Sequence, residues 1–174
     1  VLRYVFNSMV IWGLEVVVRR SGGGAVLVVP RDLVWVDLWV PRGDVLWDDD
    51  VGVATHWVGD VWSTVAARFG IDAGAHVGGM HADALGRLVC FVGLGPGEVV
   101  HDDAKLVGIS QRRVRAGARF QCQWVRRWAP EALVDGLGIV DLHTPILLGN
   151  YYDEPGRAPQ PEPEICTVGR ALFN

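Results

Sequence analysis

Hydrophobic and polar positions follow two different periods along this chain, and the change of period divides it. Residues 14–20 (LEVVVRR), 25–29 (AVLVV) and 33–40 (LVWVDLWV) are short β-branched runs bounded by glycine and proline, the signature of strands. Ser21-Gly22-Gly23-Gly24 separates the first two; Pro30 precedes the third, and Pro41-Arg42-Gly43-Asp44 turns the chain after it. Three such runs in close succession predict an antiparallel meander. Further on, Trp57, Val58, Val61, Trp62, Val65, Ala66 and Phe69 recur at three- and four-residue steps, which predicts an amphipathic helix over residues 50–69. Asp48-Asp49-Asp50 supplies carboxylates for its N-terminus and Gly70 closes it. The two tryptophans are expected to pack on the sheet.

Strand-like runs then return at 87–93 (RLVCFVG), Val99-Val100, 105–110 (KLVGIS) and 120–127 (FQCQWVRR). A loop at 94–98 and a turn at His101-Asp102-Asp103 fall between them, and the arginine-rich segment 111–119 lies before the last. Pro130 sits well at the first turn of a short helix ending at Leu137, with Gly138 behind it. The segment 151–163 is rich in proline and acid and is expected to be a surface loop. No repeat or linker divides the chain. Its 174 residues fit one domain on the usual ~100–200 residues per domain, with residues 150–174 as loop or tail. The order strands, helix, strands, short helix predicts an α+β fold whose mixed, mostly antiparallel sheet is flanked by helices.

Composition narrows the function. Half of the residues are hydrophobic and 21% charged, which excludes disorder. No run approaches the roughly 18 apolar residues that span a bilayer, and the first residues lack the features of a secretory signal. A net charge of -4 argues against nucleic acid as a partner. Cys90, Cys122 and Cys166 are an odd count at wide spacings, fitting neither a disulfide framework nor a zinc site. The five histidines are scattered, and none is expected to hold a metal. The expectation is a reduced, cytoplasmic, monomeric protein.

Lysine usage is the sharpest compositional feature. Of 16 basic residues only Lys105 is lysine. Coding bias accounts for the abundance of arginine but not for the one lysine that remains; a compact ammonium fits where a planar guanidinium does not.

Two segments have the residue types that chemistry needs. In Arg19-Arg20-Ser21-Gly22-Gly23-Gly24-Ala25-Val26, three glycines let the main chain approach a ligand closely, and successive amides form an anion-binding concavity. The preceding arginines add bidentate donors. The spacing is neither that of a Rossmann fingerprint nor of a P-loop, and a plain glycine-rich hairpin with solvated arginines has the same composition. In Lys105-Leu106-Val107-Gly108-Ile109-Ser110-Gln111-Arg112-Arg113, a lysine opens a strand with a glycine three positions on. Its ammonium could stabilise charge developing on a carbonyl or phosphate oxygen; an exposed edge-strand lysine is the plain alternative.

Together, RRSGGGAV and, about 80 residues later, KLVGISQRR resemble the lipoate–protein ligase branch of the biotin/lipoyl protein ligase superfamily, over roughly residues 14–128. The resemblance implies that superfamily's α+β catalytic domain. It also implies an enzyme that activates lipoate or octanoate with ATP, accompanied by Mg2+, and transfers the acyl group to a lysine of a lipoyl carrier domain. Such carriers are the acyltransferase subunits of 2-oxoacid dehydrogenases or the glycine-cleavage H protein. Carried over by motif, Arg19, Arg20, Ser21, Gly22, Gly23, Gly24 and Ala25 would line the acyl and adenylate site. Lys105 would contact the acyl carbonyl and phosphate, with Gly108 and Ser110 beside the ligand. Gly97-Glu98 stands near the place of an acidic element that the family has ahead of its lysine.

The chain also departs from the pattern. Val28-Val29 and Arg31-Asp32 stand where ligases commonly have His-Asp and Gly-Asn, and the accessory domain of many bacterial ligases is not expected. Only 18 residues precede Arg19, so the N-terminal part is expected to be incomplete or differently built. These departures leave two alternatives open. One is an ATP-independent octanoyltransferase with Cys122 as thioester nucleophile, Cys90 being the next candidate and Arg119, Arg126 and Arg127 favouring the thiolate. The other is a non-catalytic acyl-binding relative. The arginines at 112, 113, 115, 119, 126 and 127 form either a solvated face or a patch steering an acidic carrier domain.

Overall fold

A computed structural model describes residues 9–11, 14–17, 20–29, 31–127, 133 and 137. Met9–Ile11 (β1) and Leu14–Val16 (β2) pair as an antiparallel hairpin. The main sheet comprises Leu33–Pro41 (β3), Gly74–Ala75 (β4), Val99–His101 (β5), Ala104–Val114 (β6) and Gly117–Val125 (β7). Its order is β3-β7-β6-β5-β4, with every neighbouring pair antiparallel. A 3-10 turn, Val53–Thr55, leads into the helix His56–Arg68 (α1), and Ala84–Leu88 forms a short second helix (α2). The architecture is α+β. Among the described residues, no helix is long and apolar enough to cross a membrane.

The period-2 pattern of β3, β6 and β7 sorts their side chains onto two faces. On one face Val36, Leu38, Val40, Val107, Ile109, Phe120, Cys122 and Trp124 gather against Val58, Trp62, Val65 and Ala66 of α1. The expected tryptophan packing is realised there. The Trp57 ring meets Phe120 edge-on at 5.9 Å and Trp62 meets Trp124 at 5.8 Å. The opposite face carries Asp37, Gly108, Ser110, Gln121 and Gln123, and it positions the site.

The helix begins later than the periodicity predicts, because residues 53–55 adopt the tighter 3-10 turn first. Asp50 Oδ1 accepts the Gly52 and Val53 N–H groups at 2.7 and 3.1 Å. Those bonds, Val53 foremost, hold its carboxyl below the usual carboxylate range. The predicted meander does not form. Residues 26–29 are not in a strand, and Ala25 makes only an isolated parallel bridge to Val89. Among the described residues β3 ends the sheet beside β7 and leaves its outer side open, but residues 26–29 do not pair along it; they lie on the polar face, where the Leu27 carbonyl accepts from the Gln123 side chain. Residues 87–93 are likewise not a strand: Asp83 Oδ1 accepts the Gly86 N–H at 2.7 Å and caps α2, whose last residues, Arg87 and Leu88, take the start of that segment. The segment 111–119 is mostly sheet, with β6 running on to Val114 and a tight turn before Gly117. Of the predicted helix from Pro130, Leu133 and Leu137 are described, and the Leu137 N–H donates to the Leu133 carbonyl at 3.0 Å. The expected tail at 151–163 lies outside the described residues.

The hairpin joining β5 to β6 turns through Asp102 and Asp103, at φ 44° and 62°. Two successive positive φ values match the type I′ turn, whose second central position favours glycine. Asp103→Gly is therefore expected to stabilise the fold by about 0.5–1 kcal/mol, seen as a higher urea midpoint at unchanged slope. A lower midpoint would show that Asp103 makes a favourable interaction beyond the turn.

Candidate functional site

The glycine segment lies on the polar face of the sheet. The Ser21 hydroxyl donates to Gln121 Oε1 at 2.7 Å and accepts from the Ser110 hydroxyl at 3.2 Å, tying the segment to β7 and β6 together. Further along, the Leu27 carbonyl accepts from Gln123 Nε2 at 3.3 Å. Two buried glutamines at alternate positions thus hold the segment to the sheet, Gln121 through the Ser21 side chain and Gln123 through the Leu27 carbonyl. The three glycines differ in what they do. A Cβ on Gly24 would stand 2.4 Å from the Leu88 carbonyl oxygen, so close passage beside α2 requires glycine there. Gly23 has φ 96°. Gly22 faces open space, so its main chain is accessible to a ligand.

Lys105 reaches the same face through an irregularity that no pattern in its own strand announces. Val99 pairs with Val107 whereas Val100 pairs with Lys105, leaving Leu106 as an extra residue. Strict alternation would put Lys105 on the α1 face with Val107 and Ile109. The bulge moves it to the opposite face, with Gly108 and Ser110. Its ammonium lies 2.7 Å from Glu98 Oε2, donates to the Cys90 carbonyl at 2.8 Å and stands 5.3 Å from the centroid of the Phe91 ring. Gly108 leaves room for that ring, since a Cβ there would be 3.1 Å from Phe91 Cε2. Both carboxylate oxygens of Glu98 are fixed: Oε2 accepts the Gly95 N–H at 2.7 Å and Oε1 the Ile109 N–H at 3.0 Å.

One residue links the two segments. The Cys90 N–H donates to the Ala25 carbonyl at 3.0 Å while the Cys90 carbonyl receives Lys105. The fold therefore brings Ser21–Ala25, Lys105, Gly108 and Ser110 together on one side of the sheet. Arg20 is exposed, and Arg19 lies outside the described residues. No protein-family model, curated protein or solved structure matches this chain.

Cys122 does not join this group. It is wholly buried on the α1 face, opposite Val36 and Ile109, and burial pushes its thiol up to about 11. The thiolate that a thioester nucleophile needs is thereby disfavoured, contrary to the effect expected of nearby arginines. Native Cys122 is expected to resist thiol reagents at pH 8. Rapid labelling of Cys122 in the folded protein would contradict this. Because its folded value is raised from 9.0, native Cys122 contributes stability that is lost as pH rises from about 9 to 11.

The arginines of segment 111–119 are not one solvated face either. Arg113 donates to the carbonyls of Asp48 and Asp49 and lies 4.7 Å over the Trp47 ring, while Arg119 pairs with Asp37. No pattern in the sequence marks the Cys90 main chain, whose N–H donates to Ala25 and whose carbonyl accepts from Lys105, or the place of Phe91. Only Gln121 had a legible signal, in its alternation with Gln123 about the buried Cys122.

Proposed function

We propose that this protein is an acyl-activating ligase that uses ATP to adenylate lipoate or octanoate and passes the acyl group to a lysine of a lipoyl carrier domain. The observation that carries this reading is the meeting of the glycine segment with the chain's single lysine on one sheet face, joined through Cys90. Gly22 and Gly23 are exposed and carry no side chain, which suits main-chain contact with phosphate oxygens. The Lys105 ammonium suits the oxygens of an acyl-phosphate anhydride, on which negative charge grows during both half-reactions. Ser110 and Gly108 lie on the same face, Ser110 bonded to Ser21 and Gly108 making room for the Phe91 ring beside the Lys105 ammonium.

ATP and the acid are substrates here, and magnesium would arrive on the ATP phosphates. Among the described residues no three His, Cys, Asp or Glu side chains cluster as a metal site. The acceptor lysine then attacks the acyl carbonyl, and AMP leaves.

Incubation with lipoate or octanoate, ATP and a lipoyl acceptor domain tests the reading through the acceptor's mass. A gain of one acyl group that requires ATP is the expected result. Transfer from an octanoyl carrier protein without ATP, or binding of the acid without turnover, would overturn it.

A further inference from the structure

His76 and His81 stand five residues apart, a spacing that neither the 3.6-residue period of a helix nor the two-residue period of a strand brings to one side. The fold brings them together through the loop 94–98. The His76 N–H donates to the Glu98 carbonyl at 2.8 Å, and the His76 carbonyl accepts the Gly97 N–H at 2.7 Å. His81 exchanges both main-chain bonds with Leu94, at 2.7 and 2.8 Å. Both ends of the segment 76–81 are thus fastened to one neighbour. There the two imidazole rings meet with their centroids 5.5 Å apart and their planes at 64°. His81 is exposed and His76 half-buried, so solvent reaches the pair.

That separation suits a shared metal ion. An ion bonded to one nitrogen of each ring at ~2.0–2.1 Å, with the two bonds somewhat wider than tetrahedral, leaves the centroids about 5–6 Å apart. The backbone already holds the rings at this distance, and they need to turn only about their own side-chain bonds. His76 is prepared further. Its Nε2 lies 2.9 Å from the Gly79 carbonyl, and a carbonyl only accepts, so Nε2 carries a proton and the neutral ring keeps its lone pair on Nδ1. A ring whose other nitrogen donates to a carbonyl is the usual state of a histidine that ligates metal. Gly78 makes the seat: a Cβ there would stand 2.6 Å from His76 Cε1 and 2.9 Å from Nε2.

We propose that His76 and His81 form a binding site for a borderline divalent transition ion such as Zn2+, independent of the acyl-adenylate reading. Their spread along the chain gave no sign of a metal site, because the two anchors on loop 94–98 exist only in the folded protein. Imidazole nitrogen suits Zn2+, Cu2+ or Ni2+, whereas Mg2+ and Ca2+ take oxygen. Two protein ligands leave the remaining positions to water. An ion held by both rings ties the two ends of segment 76–81 together across the loop that presents Glu98.

The test is a Zn2+ titration of the full unsubstituted chain and of His76→Ala, His81→Ala and His101→Ala, each folded by circular dichroism. His76→Ala and His81→Ala are each expected to weaken Zn2+ binding at least about tenfold, while His101→Ala leaves it unchanged. Equimolar Mg2+ is not expected to displace the zinc. Unchanged affinity in either His76→Ala or His81→Ala overturns the proposal, and so does displacement by Mg2+. Diethyl pyrocarbonate labelling of the unsubstituted chain gives a reading that needs no variant. Saturating Zn2+ is expected to abolish labelling of His76 and His81 together and to leave that of His101 as it was, seen by fragment mass. Labelling of either His76 or His81 that persists under saturating Zn2+ overturns the site.

Discussion

Lys105→Ala is expected to slow the proposed ATP-dependent acyl transfer to a carrier domain by roughly 10²–10³-fold, the usual consequence of losing one preorganised donor to a developing charge. The loss should fall on kcat more than on KM, because the ammonium interacts most strongly with charge that grows in the transition state. The substitution also leaves Glu98 buried with no cation, and breaking a buried pair from one side costs about 3–5 kcal/mol. Stability and activity must therefore be read separately. The double variant Lys105→Met, Glu98→Gln removes both charges and is expected to recover much of the stability while recovering no activity. Transfer at near the unsubstituted rate by folded Lys105→Ala would remove Lys105 from the mechanism.

Gly97→Ala is expected to destabilise the fold by about 2–4 kcal/mol, with a lower urea midpoint at unchanged slope. Two independent features require glycine there. Its φ is 79°, and a Cβ would stand 2.4 Å from the Thr55 carbonyl oxygen and 2.7 Å from Thr55 Cβ. Neither obstacle is the far end of a flexible chain that could swing aside. The contact is reciprocal, since a Cβ on Gly59 would stand 2.2 Å from the Gly97 carbonyl oxygen. Thr55 adds a hydroxyl bond to the Pro96 carbonyl at 2.8 Å. The start of α1 is thus pressed onto the loop that presents Glu98, and a wedge at Gly97 should loosen the Lys105 site as well as the core. Gly22→Ala is the contrast: it faces open space and is expected to change stability by less than about 0.5 kcal/mol. A Gly97→Ala protein as stable as the unsubstituted one would show that the loop can move away from α1 at little cost.

Much of the fold was legible where one period dominated. The three- and four-residue spacing from Trp57 to Phe69 marks α1 because one helical face must be buried, and β6 and β7 show their alternation because one face packs on that helix. The failures have a common origin. Residues 25–29 and 87–93 have strand composition, but a strand also needs a paired neighbour, which is a property of the whole sheet. Among the described residues the outer side of β3 is open, yet residues 26–29 lie on the polar face instead, where Gln123 bonds the Leu27 carbonyl. At the second segment Asp83 caps α2, which ends at Leu88 within it.

The candidate site divides in the same way. The chain's residues by themselves determined a glycine run able to expose its amides and a solitary lysine heading a strand, because backbone freedom and side-chain charge belong to the residues themselves. Whether these two meet was decided by tertiary structure alone. The extra residue at Leu106 reverses the face that Lys105 occupies, and Cys90 carries the connection from Ala25 to the ammonium. Which face a side chain takes depends on how two strands are registered against each other, and the order of residues within one strand does not contain that register.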